Sequence, residues 1–220
     1  MFRIFGPPGT GKTTKLLNLV DKHLEAGVEP TNIAFLAFTR KAAEEARERA
    51  AARFNLDPKQ DLFFFKTLHS LALAMTDIRT DQVMQPEHYR ELGKSIGVNL
   101  GAAADNRFSD IPETQKSSDP ILGLINLAIL RKVPLRTQYN ISQIDESWNV
   151  VKYVDEALTK YKKSYTLYDF TDMLRVFAET GQSCCPRFAV TFLDEAQDLS
   201  PLQWDIAHML DRQSERMYCA

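Results

Sequence analysis

The chain carries, near its start, the stretch Gly6-Pro7-Pro8-Gly9-Thr10-Gly11-Lys12-Thr13-Thr14. It has the form G-x-x-x-x-G-K-[ST], a phosphate-binding P-loop. Its glycines let the backbone bend tightly around a phosphate chain, so that the N–H groups of the loop and of the helix behind it point inward. Lys12 supplies a mobile positive charge for the β- and γ-phosphates, and the Thr13 hydroxyl is an Mg²⁺ ligand. A short apolar run, residues 2–5, precedes the loop, and a helical pattern, residues 12–26, follows it. An ordinary glycine-rich turn also satisfies the bare pattern, but it does not demand a strand before it and a helix after it.

Working outward, strand-like and helix-like segments alternate. Residues 33–38 are a continuous apolar run, as expected of a strand covered on both faces in a parallel sheet. Thr39 is placed to cap a helix reaching residue 54. Residues 62–65 form a third apolar run, followed by a helix over 66–75. This alternation predicts an α/β fold with a parallel sheet flanked by helices. Residues 76–163 carry no convincing buried strand. Helices are expected at 86–96, 120–132 and 142–161, with a polar loop at 101–119. Positive charge gathers there at Arg131, Lys132 and Arg136, and at Lys160, Lys162 and Lys163. These groups are either solvated helix faces or contacts to a phosphate backbone. Alternation then resumes with a helix at 168–179 ended by Gly181, a strand at 188–193, a helix at 201–212 opened by Pro201, and an apolar run from Met217. A chain that stops inside such a run is expected to be part of something longer.

The strand at 188–193 ends in Asp194-Glu195. Ligand chemistry in open α/β folds gathers at the carboxyl ends of parallel strands. Behind a P-loop, the first carboxylate is expected to hold Mg²⁺ together with Thr13 and the nucleotide. The second, Glu195, is expected to position or deprotonate an attacking water. Hydrolysis also calls for a positive charge on the γ-phosphate, and no residue here declares itself in that role.

Composition sets the remaining limits. The 220 residues are 44% hydrophobic and 25% charged with a net charge of −2, as in an ordinary globular protein without a global nucleic-acid signature. No apolar run is long enough for a transmembrane helix, and three cysteines, two of them the adjacent Cys184 and Cys185, make neither a disulfide framework nor a C-x-x-C site. The expectation is a cytoplasmic protein with reduced thiols and no membrane partner.

Asp194-Glu195-Ala196-Gln197-Asp198 resembles motif II of superfamily 1 helicases of the UvrD/Rep/PcrA type. Three more segments are similar to that family in its order: Phe38-Thr39-Arg40-Lys41-Ala42-Ala43-Glu44-Glu45, Thr67-Leu68-His69-Ser70-Leu71-Ala72, and Tyr168-Asp169-Phe170-Thr171-Asp172-Met173-Leu174. The resemblance implies a RecA-like ATP-binding motor domain over 1–75 and 164–220, interrupted by an inserted helical subdomain at 76–163. It implies ATP and Mg²⁺ as ligands, held by Gly6 to Thr14, Asp194 and Glu195, with Gln197 linking nucleotide state to the motor and Arg40 near both ligands. It also implies single-stranded DNA passing over the sheet along Phe38, Thr39, Arg40, Thr67, His69 and Ser70, and movement from 3′ to 5′. The residues alone allow Phe38 to be core, His69 to be a polar residue of a first helical turn, and RNA to be the track. A second motor domain completing the ATP cleft is not among these residues, so the isolated chain is expected to be monomeric and weak in hydrolysis. A non-hydrolysing nucleotide or DNA-binding module and an AAA-type ATPase are the alternative readings.

Overall fold

The computed structural model describes residues 1–7, 9–101 and 119–220. Pro8 and nearly all of the expected polar loop at 101–119 therefore lie outside the described residues. Five strands form one all-parallel sheet: β1 (Phe2–Arg3), β2 (Ile33–Ala37), β3 (Phe65–Thr67), β4 (Phe188–Leu193) and β5 (Ser214–Cys219). Their spatial order is β1-β5-β4-β2-β3. The helices are α1 (Lys12–Glu25), α2 (Arg40–Phe54), α3 (Leu68–Met75), α4 (Pro86–Ile96), α5 (Pro120–Arg131), α6 (Leu135–Ile141), α7 (Trp148–Tyr165), α8 (Phe170–Cys184) and α9 (Pro201–Arg212).

The period-2 geometry of a strand splits each apolar run between two cores. Ile33, Phe35 and Ala37 face α1 and α2, where they meet Leu16, Val20, Ala43, Ala46 and Ala50. Ala34 and Leu36 face the other way, into a core with Leu71, Leu174, Phe177, Ile206 and Leu210 from α3, α8 and α9. All five residues of β2 are buried, which is why that run carries no polar alternation. The alanines of α2 recur at helical spacing and let that helix lie close to the sheet. Asp21, almost fully buried on α1, accepts hydrogen bonds from Arg49 and Arg53 of α2 and ties the two helices together. A third core, of Tyr89, Leu92, Ile121, Leu124, Ile125, Val151, Val154 and Leu158, joins α4, α5 and α7 away from the sheet.

Several boundaries differ from the sequence reading. The third apolar run does not become a strand: Leu62 to Phe64 form a turn closed by the Phe65 N–H on the Leu62 carbonyl at 3.1 Å, and pairing starts with Phe65 opposite Phe35. Buried Leu62 plugs the core from that turn, so hydrophobicity here marks burial rather than extension. The helix behind it starts at Leu68, capped by Thr67, whose Oγ1 accepts from the Ser70 N–H at 3.2 Å. The expected helix at 142–161 is two helices, α6 and α7, and the second is capped by Ser147. β5 starts three residues before Met217 because Ser214 pairs with Phe188 and its hydroxyl reaches Thr191 Oγ1 at 2.7 Å.

Gly181 does not end α8 but lies inside it. A Cβ there would sit 2.5 Å from the Met209 Cε and 3.0 Å from the Phe177 ring, so the glycine allows α8 and α9 to approach closely. Gly181→Val is expected to lower stability by about 1–3 kcal/mol through overpacking, measured by urea unfolding; an unchanged midpoint would contradict the close approach.

Candidate functional site

β1 ends at Arg3, two residues short of the end of the apolar run at 2–5, and the P-loop then runs from Gly6 into α1 at Lys12. Two of its glycines hold left-handed backbone, Gly9 at φ 78° and Gly11 at φ 79°. A Cβ on Gly6 would fall 2.5 Å from the Thr10 hydroxyl, which itself donates to the Pro7 carbonyl at 2.7 Å. Gly11 occupies the helix-capping position and offers no side chain. The first helical bond runs from the Lys15 N–H to the Gly11 carbonyl at 2.9 Å. The N–H groups of Lys12, Thr13 and Thr14 thus start the helix without a capping side chain, as an anion-binding terminus requires. Lys12 rests its ammonium on the Gly6 carbonyl at 3.1 Å, a neutral perch that a phosphate would displace.

Across the carboxyl edge of the sheet, Thr13 donates its hydroxyl to Asp194 Oδ2 at 2.9 Å. Asp194 follows β4, its N–H bonds the Leu36 carbonyl at 2.9 Å, and its side chain is buried. Burial pushes its carboxyl above the ordinary value; the Thr13 hydroxyl opposes that shift and the Glu195 charge adds to it. A hydroxyl and a carboxylate side by side are hard oxygen donors, and Mg²⁺ is usually held by one or two such groups while phosphates and water complete its shell. Among the described residues no cluster of three His, Cys, Asp or Glu side chains forms a protein-only cage. The residues present fit a nucleotide-borne Mg²⁺ in this way.

Glu195 stands in the left-handed region at φ 54°, uncommon for a residue with a side chain. Its carboxylate accepts from the Gln197 amide, which also reaches Asp198 Oδ2 at 3.4 Å. The loop is anchored behind them by the Ala196 N–H on the Ala220 carbonyl at 2.7 Å. Lys12, Gly6 and Gln197 border a cavity of about 440 Å³ whose far wall is Trp204 and His208 of α9.

The second group of sequence-predicted residues gathers farther along the same edge. Phe38 and His69 line one cavity of about 470 Å³ with Phe170, Thr171, Asn126 and the loop residues Asp198 to Ser200. Phe38 is half-buried, packed against the α3/α8/α9 core and also open to this cavity, so both of its readings have a physical basis. His69 meets the edge of Phe170 at 6.0 Å, and burial pushes its imidazole down to about 4, leaving it neutral at pH 7. The hydroxyls of Thr39 and Thr67 act as helix caps, accepting from the Ala42 and Ser70 N–H groups, and Thr67 also donates to Ser70 Oγ at 3.0 Å. Arg40 is exposed and pairs with Glu44 one helical turn away at 2.9 Å.

The basic groups separate. Lys162 is engaged by Asp169 and Asp172 and is not available to a phosphate backbone. Lys132 pairs with Asp205, Arg131 donates to the Gln138 amide oxygen, and Arg136 lies over the Trp148 ring at 4.6 Å. Lys160 and Lys163 remain exposed. Phe170 and Thr171 stand in the family-like segment 168–174 but were given no site role by sequence, and Asn126 was not singled out at all. Asn126 did carry a signal, as the one amide within the apolar helix ILGLINLAIL. The three cysteines are free, and burial pushes the Cys185 and Cys219 thiols up, to about 12 and about 11. No helix among the described residues is long and apolar enough to cross a membrane.

Comparison with known proteins agrees with this geometry. Residues 2–220 match the model of the UvrD/REP helicase N-terminal domain. The chain is 27% identical over 220 residues to the putative ATP-dependent DNA helicase YjcD of Bacillus subtilis (strain 168), covering 96% of this chain and 28% of that protein. It is 26% identical over 227 residues to the ATP-dependent DNA helicase PcrA of Leuconostoc citreum, covering 97% of this chain and 29% of that one. The chain thus spans less than a third of the length of these relatives. With a P-loop and a carboxylate pair at the carboxyl edge of an all-parallel, RecA-like sheet, it belongs to the UvrD/REP helicase N-terminal domain family.

Proposed function

We propose that this chain is the ATP- and single-stranded-DNA-binding N-terminal part of a 3′-to-5′ DNA helicase or translocase. Residues 1–75 and 164–220 form its first motor domain, 76–163 an inserted helical subdomain, and a second motor domain supplies the other wall of the ATP cleft. One observation carries this reading. The loop from Asp194 to Ser200 starts at the P-loop, where Asp194 accepts from Thr13, and has its far end in the wall of the cavity lined by Phe38 and His69. A change at the phosphate end therefore reaches the strand end through one short, buried-anchored segment.

The residues divide the work. Lys12 and the α1 N–H groups bind the β- and γ-phosphates, while Thr13 and Asp194 hold the metal that arrives with the nucleotide. That Mg²⁺, when bound, neutralises charge on the phosphate oxygens. Glu195 takes the proton of the attacking water. Gln197, which holds the Glu195 carboxylate, releases it when the γ-phosphate is in place. On the other side Phe38 stacks on a base, which is sequence-tolerant because every base has a π-face. Arg40 and the Thr39, Thr67 and Ser70 hydroxyls position phosphates without reading sequence.

The strand half is tested with fluorescein-labelled oligothymidylate. Phe38→Ala is expected to weaken binding roughly 5- to 150-fold, from about 1–3 kcal/mol of stacking per base, and affinity should fall steeply with salt. Unchanged affinity would remove Phe38 from the path, and tighter binding of the matching oligouridylate would reassign the track to RNA.

A further inference from the structure

We propose that Lys162 is a positioning residue: from the last turn of α7 it clasps the amino-terminal turn of α8 and thereby sets the walls of the strand cavity. This rests on the reading of that cavity as a single-strand site. The Lys162 Nζ lies 2.7 Å from Asp169 Oδ2 and 2.6 Å from Asp172 Oδ2. Its side chain is 13% exposed and those of the two carboxylates 4% and 6%, so the cluster is nearly sealed from water. Burial pulls the ammonium down, but the two carboxylates outweigh it and hold Lys162 above its ordinary value.

The same two carboxylates are the halves of the α8 capping box. The Asp172 N–H donates to Asp169 Oδ1 at 2.8 Å and the Asp169 N–H to Asp172 Oδ2 at 3.2 Å. One ammonium from α7 therefore bridges the two carboxylates that start α8, and Arg175, whose Nη2 donates to Asp172 Oδ1 at 3.0 Å, supplies the second positive charge from α8 itself. The two residues between these carboxylates are the ones that reach the cavity. Phe170 meets His69 edge-on at 6.0 Å, and the Thr171 hydroxyl donates to Asn126 Oδ1 of α5 at 3.1 Å. The chain passes between the sheet-bearing part and the α4/α5/α7 core twice, and the two passages are pinned to each other. The Tyr168 N–H bonds the Gln82 carbonyl at 2.8 Å, and the Met84 N–H bonds the Tyr168 carbonyl at 2.9 Å. The backbone ladder fixes where the passages meet, and Lys162 fixes how α8 leaves that point. An apolar residue would serve stability at least as well, since burying charges is costly. A charged clasp gives orientation instead: α7 contributes no wall to the cavity, but its lysine fixes how α8 meets α5 there.

The test compares Lys162→Met and Lys162→Arg in the 220-residue chain by three readouts: affinity for labelled oligothymidylate, affinity for a fluorescent Mg-ATP analogue, and the NMR shift of the His69 ring protons, which sense Phe170. Lys162→Met should weaken strand binding about tenfold, leave nucleotide affinity within about twofold and move the His69 signals; Lys162→Arg should restore all three. Parallel loss of both ligands, or parental strand binding with unmoved His69 signals, would overturn the proposal. If Lys162→Met does not fold because Asp169 is left buried without a cation and Asp172 keeps only Arg175, Lys162→Met with Asp169→Asn and Asp172→Asn replaces it. Asparagine still caps a helix, and the same selective loss is expected; parental strand affinity there would overturn the clasp. Should Phe38→Ala leave strand binding unchanged, the cavity reading itself fails, while the His69 signals still decide whether Lys162 sets the position of Phe170.

Discussion

Lys12→Ala is expected to weaken Mg-ATP binding by roughly 10- to 150-fold, the effect of losing a charged hydrogen bond of about 1.5–3 kcal/mol. In the structure Lys12 bonds only the Gly6 carbonyl among the described residues. Its removal therefore leaves no buried partner unsatisfied, and the melting temperature should stay within about 1 °C, as for a surface substitution. Calorimetric titration with Mg-ATP separates the two effects. Weak nucleotide binding in a normally folded variant is the expected result. Parental affinity would mean that the P-loop does not hold the phosphates, whatever its sequence. Thr13→Ala should act differently: it strands Asp194 Oδ2 without its hydroxyl partner, so both nucleotide affinity and its dependence on Mg²⁺ concentration should change.

Glu195→Gln is expected to leave Mg-ATP binding intact and to slow hydrolysis by about 10²- to 10⁴-fold, the range of a general base. The geometry explains the separation of binding from turnover. Glu195 is one residue beyond the Thr13–Asp194 pair, has left-handed backbone, and its carboxylate is engaged by the Gln197 amide rather than by Thr13. Glutamine keeps the shape and an oxygen that can still accept from the Gln197 amide, but it cannot take a proton. The comparison is made in the whole protein that carries this chain, by steady-state phosphate release and by equilibrium nucleotide binding. If binding fell as far as in Lys12→Ala, Glu195 would be a ligand-holding residue rather than the one that handles water.

The P-loop and the carboxylate pair were each legible as short, chemically demanding stretches, although the Thr13–Asp194 bond that joins them spans 181 residues. A glycine-rich turn, a lysine, a hydroxyl and two carboxylates after an apolar strand admit few other arrangements. The sheet was legible for a related reason: β2 is an unbroken apolar run buried on both faces, and β4 is apolar except for the buried Thr191. The misreadings share the opposite cause. In Leu62-Phe63-Phe64 the same apolarity serves a turn, with Leu62 buried and Phe63 39% exposed beneath the Lys66 ammonium. Gly181 looked like a helix end because the contact that requires it, Met209, lies on another helix. Lys162 sat in a basic cluster, and no local pattern says that two aspartates one turn into the next helix take up its charge. Asn126 and Thr171 are far apart in sequence and meet only where α5 crosses α8. What resists reading from sequence is the set of long-range polar pairs that join one core to another.

One loop joins the two proposed ligand sites, and the most direct test asks whether they communicate. Steady-state ATP hydrolysis by the whole protein that carries this chain is measured with and without single-stranded oligothymidylate, alongside Lys12→Ala. The predicted result is a rate that rises with added single strand, at an oligonucleotide concentration that Phe38→Ala shifts upward, and that Lys12→Ala abolishes. A rate abolished by Lys12→Ala but indifferent to single-stranded DNA would contradict the account: the P-loop would then serve an ATPase that does not sense a strand.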